Sequence, residues 1–318
     1  MRRTRNIFCA VLLFVASFGM LLRAQAPAGK NRPAGVPEEY VITPFGYFHP
    51  SCVLQIAKGE TLLADGRVLQ HADGTLEDLP ACEYPHYVAS GEIAGAGVTK
   101  VESPTIDGWV EYASQTIGTE FYELFSNEWI VPPAPTSNNG QTLFFFQGLE
   151  DTNDVVSILQ PVLQYGKSAA GGGNNWAIAA WNCCPSGTAD YSSLVSVKPS
   201  DEVSGSISST CRLGTEHCST WDIVIEDITT AKGTSLVNSP SEGQTFNWAF
   251  GGVLEAYNVT QCSDYPSNGS LLFPSINLFD YNGNLVAQNW KGTVLGGSPS
   301  CSYAVSAPTG SDTVRVYY

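Results

Sequence analysis

Between residues 105 and 318 the chain repeats one pattern: short runs of β-branched and aromatic residues, separated by clusters of Gly, Pro, Asn and Ser. Such runs occupy residues 128–131, 143–146, 176–181, 194–197, 221–225 and 313–318. No segment combines helix caps with an apolar stripe of 3.6-residue period, so no helix is predicted. Short, regularly spaced strands of this kind predict an all-β fold, a two-sheet antiparallel sandwich. The segment before it reads differently. Residues 27–37 (PAGKNRPAGVP) form a Pro/Gly/Ala-rich leader. Residues 38–87 break into strand-like pieces around the turn signals Ala64-Asp65-Gly66 and Ala72-Asp73-Gly74. Residues 88–104 are small and read as a linker. The chain thus divides into 27–104, a propeptide or small accessory β-unit with its linker, and 105–318, the sandwich.

Residues 1–26 have the layout of a secretory signal. Arg2, Arg3 and Arg5 supply a basic end, residues 7–22 an apolar stretch, and Ala24-Gln25-Ala26 a small-x-small cleavage site. Retention as a membrane anchor is the competing reading. With the signal removed, an exported protein is expected, extracellular or periplasmic, monomeric and free of the membrane.

Charge narrows the partners. The 318 residues carry 15 basic and 30 acidic side chains. The first 26 residues hold four of the arginines and no acid, so the remainder is more acidic still. A chain without a cationic footprint does not suit nucleic acid or an anionic membrane surface. Nine cysteines become eight once Cys9 leaves with the signal, an even number that favours disulfides in an exported chain. Proximity pairs Cys52 with Cys82, Cys211 with Cys218 and Cys262 with Cys301, leaving Cys183 and Cys184 to bond each other or pair elsewhere. A metal site at Cys211 and His217-Cys218 would lack a second close pair of ligands. No metal and no cofactor is expected.

Several chemistries lack their residues. There is no G-x-S-x-G elbow, and His217 is the one histidine after residue 105, which leaves a Ser-His-Asp hydrolase without a choice of base. Neither H-E-x-x-H, nor a phosphate loop, nor a dinucleotide fingerprint occurs. Carboxylates and amides remain for acid–base work.

An ordered series of words carries a family resemblance. Gly108-Trp109 is followed by Glu128-Trp129-Ile130-Val131-Pro132, Phe146-Gln147-Gly148-Leu149-Glu150 and Ser157-Ile158-Leu159-Gln160. Then come Trp176-Ala177-Ile178-Ala179-Ala180-Trp181 with Pro185, the stretch 194–204, the strand-like 221–227, and 247–257 (NWAFGGVLEAY). In content and order this series resembles the glutamic peptidases, or eqolisins, which are secreted, acid-acting endopeptidases. The resemblance implies a sandwich like the concanavalin A jelly roll, with a glutamine and a glutamate as catalytic pair on one concave sheet. It places these at Gln160 and Glu255, within direct or one-water reach. It places substrate-binding residues at Phe146 and Glu150, and the tryptophans Trp176 and Trp181 are further candidates to line the cleft.

The chemistry suits the pair. A carboxylate can take a proton from water and return it to the leaving amine, while a glutamine N–H can stabilise the oxyanion. A protein or peptide substrate follows. Gln147 and Gln164 could equally face the groove, and each residue alone also reads as an ordinary strand position. The alternative function is a glycan-binding module or glycoside hydrolase on the same sandwich, in which Glu150 and Glu255 would be the paired carboxylates. His49, His71 and His86 give the N-terminal unit a set of groups that change charge on acidification. Asn258-Val259-Thr260 and Asn268-Gly269-Ser270 are glycosylation sequons.

Overall fold

The computed structural model describes residues 32–63, 66–94, 108–118, 120–152, 158–184 and 187–318. The signal segment, the first part of the leader, the linker from residue 95, Ser157 and Pro185 lie outside the described residues. The N-terminal unit contains β1 (Val41–Thr43), β2 (Gly46–Phe48), β3 (Val53–Ile56), β4 (Thr61–Leu62), β5 (Val68–Gln70) and β6 (Leu76–Asp78). The following part contains β7 (Trp109–Thr116), β8 (Tyr122–Ile130), β9 (Thr142–Glu150), β10 (Ile158–Ser168), β11 (Gly171–Cys183), β12 (Ala189–Ser192), β13 (Val195–Ser196) and β14 (Glu202–Ser209). It continues with β15 (Thr220–Asp227), β16 (Lys232–Pro240), β17 (Trp248–Tyr257), β18 (Ser270–Phe273), β19 (Asn277–Asp280), β20 (Lys291–Val294), β21 (Ala304–Ser306) and β22 (Val314–Tyr317).

Two sheets make the sandwich. One has the order β16-β15-β14-β8-β19; the other runs β20-β7-β17-β9-β10-β11-β12-β3, with β13 also pairing β11. The first sheet shows the alternation of a half-solvated strand. In β14 and β15, Val203, Ile207, Ile223 and Ile225 are buried, while their neighbours reach toward solvent. These residues, with Phe125 and Trp129, pack on Phe145, Leu149, Leu159, Leu163 and Ile178 of the second sheet. Gln147 joins the two sheets directly, its Nε2 donating to Phe125 O at 3.3 Å and Gly205 O at 3.0 Å. That position excludes Gln147 from any groove on the opposite face.

The second sheet does not alternate. Every residue of β9 is buried, including the run Leu143-Phe144-Phe145-Phe146. A strand reads this way when both of its faces are covered. Odd-numbered residues of β9 point into the sandwich core, and even-numbered ones into a second apolar layer. That layer combines Phe144, Phe146, Val162, Trp181, Phe250 and Tyr257 with Val36, Tyr40, Phe45, Tyr47 and Phe48 of the N-terminal unit. The unit therefore lies on the outer face of the second sheet. It also extends the sheet, because β3 runs parallel to β12 from Val53↔Ala189 to Ile56↔Ser192.

Disulfides join Cys52–Cys82, Cys183–Cys184, Cys211–Cys218 and Cys262–Cys301. The first staples the N-terminal unit. The third engages both sulfurs that a metal at His217 would have needed.

Candidate active site

The registers of β9, β10, β11 and β17 fix which side chains share the outer face. Leu149 and Leu159 pair and face the core, so their neighbours Glu150 and Gln160 emerge together on the other side. They stand as diagonal neighbours on adjacent strands, a relation that spans about 7–8 Å and lies within reach of long side chains. Trp248 pairs with Glu150 from β17, and Trp181 pairs with Gln160 from β11. Phe146 lies on the same face, paired with Val162. An added Cβ on Gly148, the residue opposite Gln160, would come 3.0 Å from Ile158 Cδ1. A larger residue there would push on the side chain that sits across from Glu150.

Gln160 is fully buried and Glu150 nearly so. Both amide atoms of Gln160 and both carboxyl oxygens of Glu150 lack a hydrogen-bond partner among the described residues, as does Trp181 Nε1. Buried polar groups are almost always satisfied, and clusters of exceptions call for an explanation such as a catalytic role. Burial pushes the Glu150 carboxyl up to about 8, because a charge there has no water to solvate it.

Glu255 occupies a different part of the same face. It pairs with Phe144, which in turn pairs with Gln164. Gln160 is therefore two strands away and four residues out of register, that is, two spacings of about 4.8 Å and four rises of about 3.4 Å. Glu255 Oε1 accepts from Tyr257 Oη, whose ring lies 5.4 Å from that of Tyr47. The offset is set by the strand register itself; the bulge in β17, where the register slips by one residue between Phe250 and Val253, turns Glu255 toward the outer face. Gly251 and Gly252 form that bulge, and a Cβ on Gly252 would lie 2.6 Å from the Phe273 ring. So the register does not bring Gln160 and Glu255 into the expected direct reach; the carboxyl diagonal to Gln160 is that of Glu150. The same register separates Glu150 from Glu255 along adjacent strands, which removes the two-carboxylate spacing a retaining glycosidase needs.

The tryptophans divide as well. Trp181 belongs to the outer face, stacked on Tyr191 with centroids 5.0 Å apart. Trp176 faces the sandwich core against Phe145 and Tyr165, so it packs the interior and does not line the cleft. Five residues separate the two, and an odd separation along one strand puts them on opposite faces. Gln164 does share the face of Gln160. Its amide is committed to Gly166 O and Gly171 O, at 2.9 and 3.0 Å, and its carbonyl accepts from Ser168. That side chain holds the β10–β11 turn.

Several solved structures with a similar course of the chain are glutamic peptidases. The chain is similar to scytalido-glutamic peptidase with a transition state analog inhibitor, at 17% identity, covering 66% of this chain and 98% of that one with a TM-score of 0.48. SCP-B, a member of the eqolisin family of peptidases in complex with the tripeptide Ala-Ile-His, matches over the same shares at 16% identity and a TM-score of 0.46. Aspergilloglutamic peptidase from Aspergillus niger matches 56% of this chain and 98% of its own at 15% identity, with a TM-score of 0.36. The likeness is one of fold. No known family profile and no curated protein matches the sequence.

One side of the face stays open. Beyond Trp248 a groove of about 960 Å³ is lined by Tyr112, Ser114, Gln115, Thr116, Asn289 and Lys291, among others. The opposite side, above Trp181, is closed by the β1–β2 hairpin of the N-terminal unit.

Proposed function

We propose that the protein is an acid-acting endopeptidase, exported as a precursor, in which Glu150 and Gln160 form the catalytic pair and residues 27–104 a removable propeptide. The observation that carries this reading is the unpartnered carboxyl and carboxamide on adjacent strands of one buried sheet face, the face on which the N-terminal unit packs. Ionised Glu150 takes a proton from water as the water oxygen bonds to the scissile carbonyl carbon. Gln160 Nε2 donates to the oxyanion that forms. The proton held by Glu150 then passes to the leaving nitrogen as the C–N bond breaks.

The covered state is latent for two reasons. Phe45 occupies the space against Trp181, beside Gln160, that a substrate would use. A carboxyl raised to about 8 is protonated in acid or neutral medium and cannot act as base. Removal of the unit readmits water to Glu150, and its carboxyl moves back toward the ordinary range, where a glutamate base works in mild acid. The residue assigned by resemblance, Glu255, becomes the comparator in every test. The excess of acidic residues and the four disulfides suit an acidic, oxidising exterior.

The purified full chain, incubated near pH 4, is to be assayed for peptide release from a denatured protein and for sugar release from a panel of polysaccharides. Peptide release alone supports the proposal. Sugar release without peptide release refutes it.

A further inference from the structure

The N-terminal unit touches the outer face in the manner of a bound peptide. At the tip of the β1–β2 hairpin, Thr43 Oγ1 accepts from Phe45 N at 3.2 Å and donates to Gly46 O at 3.1 Å, which fixes a tight turn. Gly46 has a φ of 108°, and a Cβ there would fall 2.2 Å from Tyr87 O, so no other residue fits. Tyr47 and Tyr87 exchange backbone bonds of 2.7 and 2.9 Å behind the turn. The turn thereby delivers one large side chain to the sheet. Phe45 is 2% exposed and meets Trp181 edge to face, with centroids 6.0 Å apart. On the flank of the hairpin, Ala169 N donates to Ile42 O at 2.8 Å. That bond ties the hairpin to the β10–β11 turn, at the far end of β10 from Gln160; an aromatic anchor seated in a closed pocket is itself how peptides are commonly held.

Trp181 begins a row of residues that crosses the sheet. Through successive register pairs, Trp181 leads to Gln160, Gly148, Phe250, Ser114 and finally Lys291. The last two line the open groove. The row thus joins the seat of Phe45 to the groove, with Gln160 between them and Glu150 beside it. Four strand spacings of about 4.8 Å separate Trp181 from Ser114, a span of about six extended residues.

Resting on the peptidase reading, we infer that Phe45 holds the place of a substrate side chain. The cleft takes an extended peptide that presents an aromatic residue to Trp181 and continues past Gln160 and Glu150 into the groove at Tyr112, Ser114 and Lys291. Specificity then resides in Trp181, stacked on Tyr191, as the wall of an aromatic pocket.

The pocket is tested without catalysis, on the full chain. N-acetyl-phenylalaninamide is titrated into wild type, Phe45→Ala and Phe45→Ala/Trp181→Ala, followed by tryptophan fluorescence and NMR, with N-acetyl-serinamide as reference. The inference expects binding to Phe45→Ala at least about tenfold tighter than to wild type or than the serine probe, a difference of about 1.4 kcal/mol, and its loss in the double variant. Equal binding of both probes, or none to a folded Phe45→Ala chain, overturns it. Should Phe45→Ala not fold, Phe45→Leu replaces it, and the acid-treated wild type is profiled on a peptide library, where Trp181→Ala must erase an aromatic preference. Cleavage without that preference rejects the inference and leaves the peptidase standing. Selective probe binding without any cleavage keeps the aromatic pocket and rejects the peptidase.

Discussion

At the scale of single residues, the decisive contrast is between Glu150 and Glu255. Both are buried glutamates on one sheet face. Glu255 has an adjacent tyrosine to donate to it, whereas Glu150 has an apolar surround and a neighbouring glutamine. The raised Glu150 carboxyl makes stability depend on pH with a definite sign. Between pH 4.5, the ordinary value, and about 8, the folded chain holds a proton that the unfolded chain has released, so stability falls as pH rises. Glu150→Gln removes that slope. Urea unfolding of the full chain is expected to show the variant roughly 1–3 kcal/mol more stable near pH 7 and equal to wild type near pH 4. An unchanged slope would place an ionised carboxylate at that position.

Part of this site was legible in the sequence. The word ending in Gln160 and the word ending in Glu150 both fall on one face of neighbouring strands. The opposed orientations of Trp176 and Trp181 follow from their odd separation, and those of Phe146 and Gln147 from simple adjacency. The bulge at Gly251-Gly252 was not legible in its consequence. Two glycines signal a break in a strand, but not how far the register slips, and that one-residue slip decides which face of the sheet Glu255 joins.

At the scale of elements, the run Leu143–Phe146 reads as a strand in the sequence; that both faces of β9 are covered, and by what, is a long-range property that no local pattern records. Within the cover, the β4–β5–β6 sheet carries its own charge device. His71 Nδ1 lies 2.8 Å from Glu60 Oε1 and its Nε2 3.0 Å from Glu77 Oε2. The hydrogen bond to Glu60 raises His71 above its ordinary 6.5, and the same bond lowers Glu60 below its ordinary 4.5. The His71 contribution is complete below pH 6.5 and is lost as pH rises through its raised value. The Glu60 contribution is present above pH 4.5 and is lost as pH falls through its lowered value.

These groups therefore hold best in mild acid. They do not release the cover when pH first drops. His86 acts in the opposite sense: stacked on Phe48 with centroids 4.6 Å apart, it is pushed down by burial, and its protonation below pH 6.5 weakens the packing. NMR titration of the histidine ring protons is expected to show His71 above and His86 below the ordinary midpoint. His71→Ala should lower protection of β4–β6 amides near pH 5 and change little near pH 9. Equal protection in variant and wild type at both values would remove His71 from the account.

At the scale of the whole molecule, an acidic sandwich carries a disulfide-stapled unit on the sheet face that also holds Glu150 and Gln160. If residues 27–104 are a propeptide, incubation near pH 4 should yield a new N-terminus within or after the linker, in step with the appearance of activity. Sequencing that still reads from the vicinity of Pro27 in a fully active preparation would make the unit a permanent part of the enzyme. Reduction and alkylation of Cys52–Cys82 should loosen the cover and hasten that processing, measured as a shorter lag before activity.

The most direct measurement compares Glu150→Gln and Glu255→Gln in one assay: release of peptides from a denatured protein near pH 4 by acid-incubated chains, with Gln160→Ala alongside. Glu150→Gln is expected to abolish release, Gln160→Ala to reduce it by about 10²–10³-fold, and Glu255→Gln to leave it within about tenfold of wild type. Full activity in Glu150→Gln together with loss in Glu255→Gln would contradict the assignment of the catalytic carboxyl.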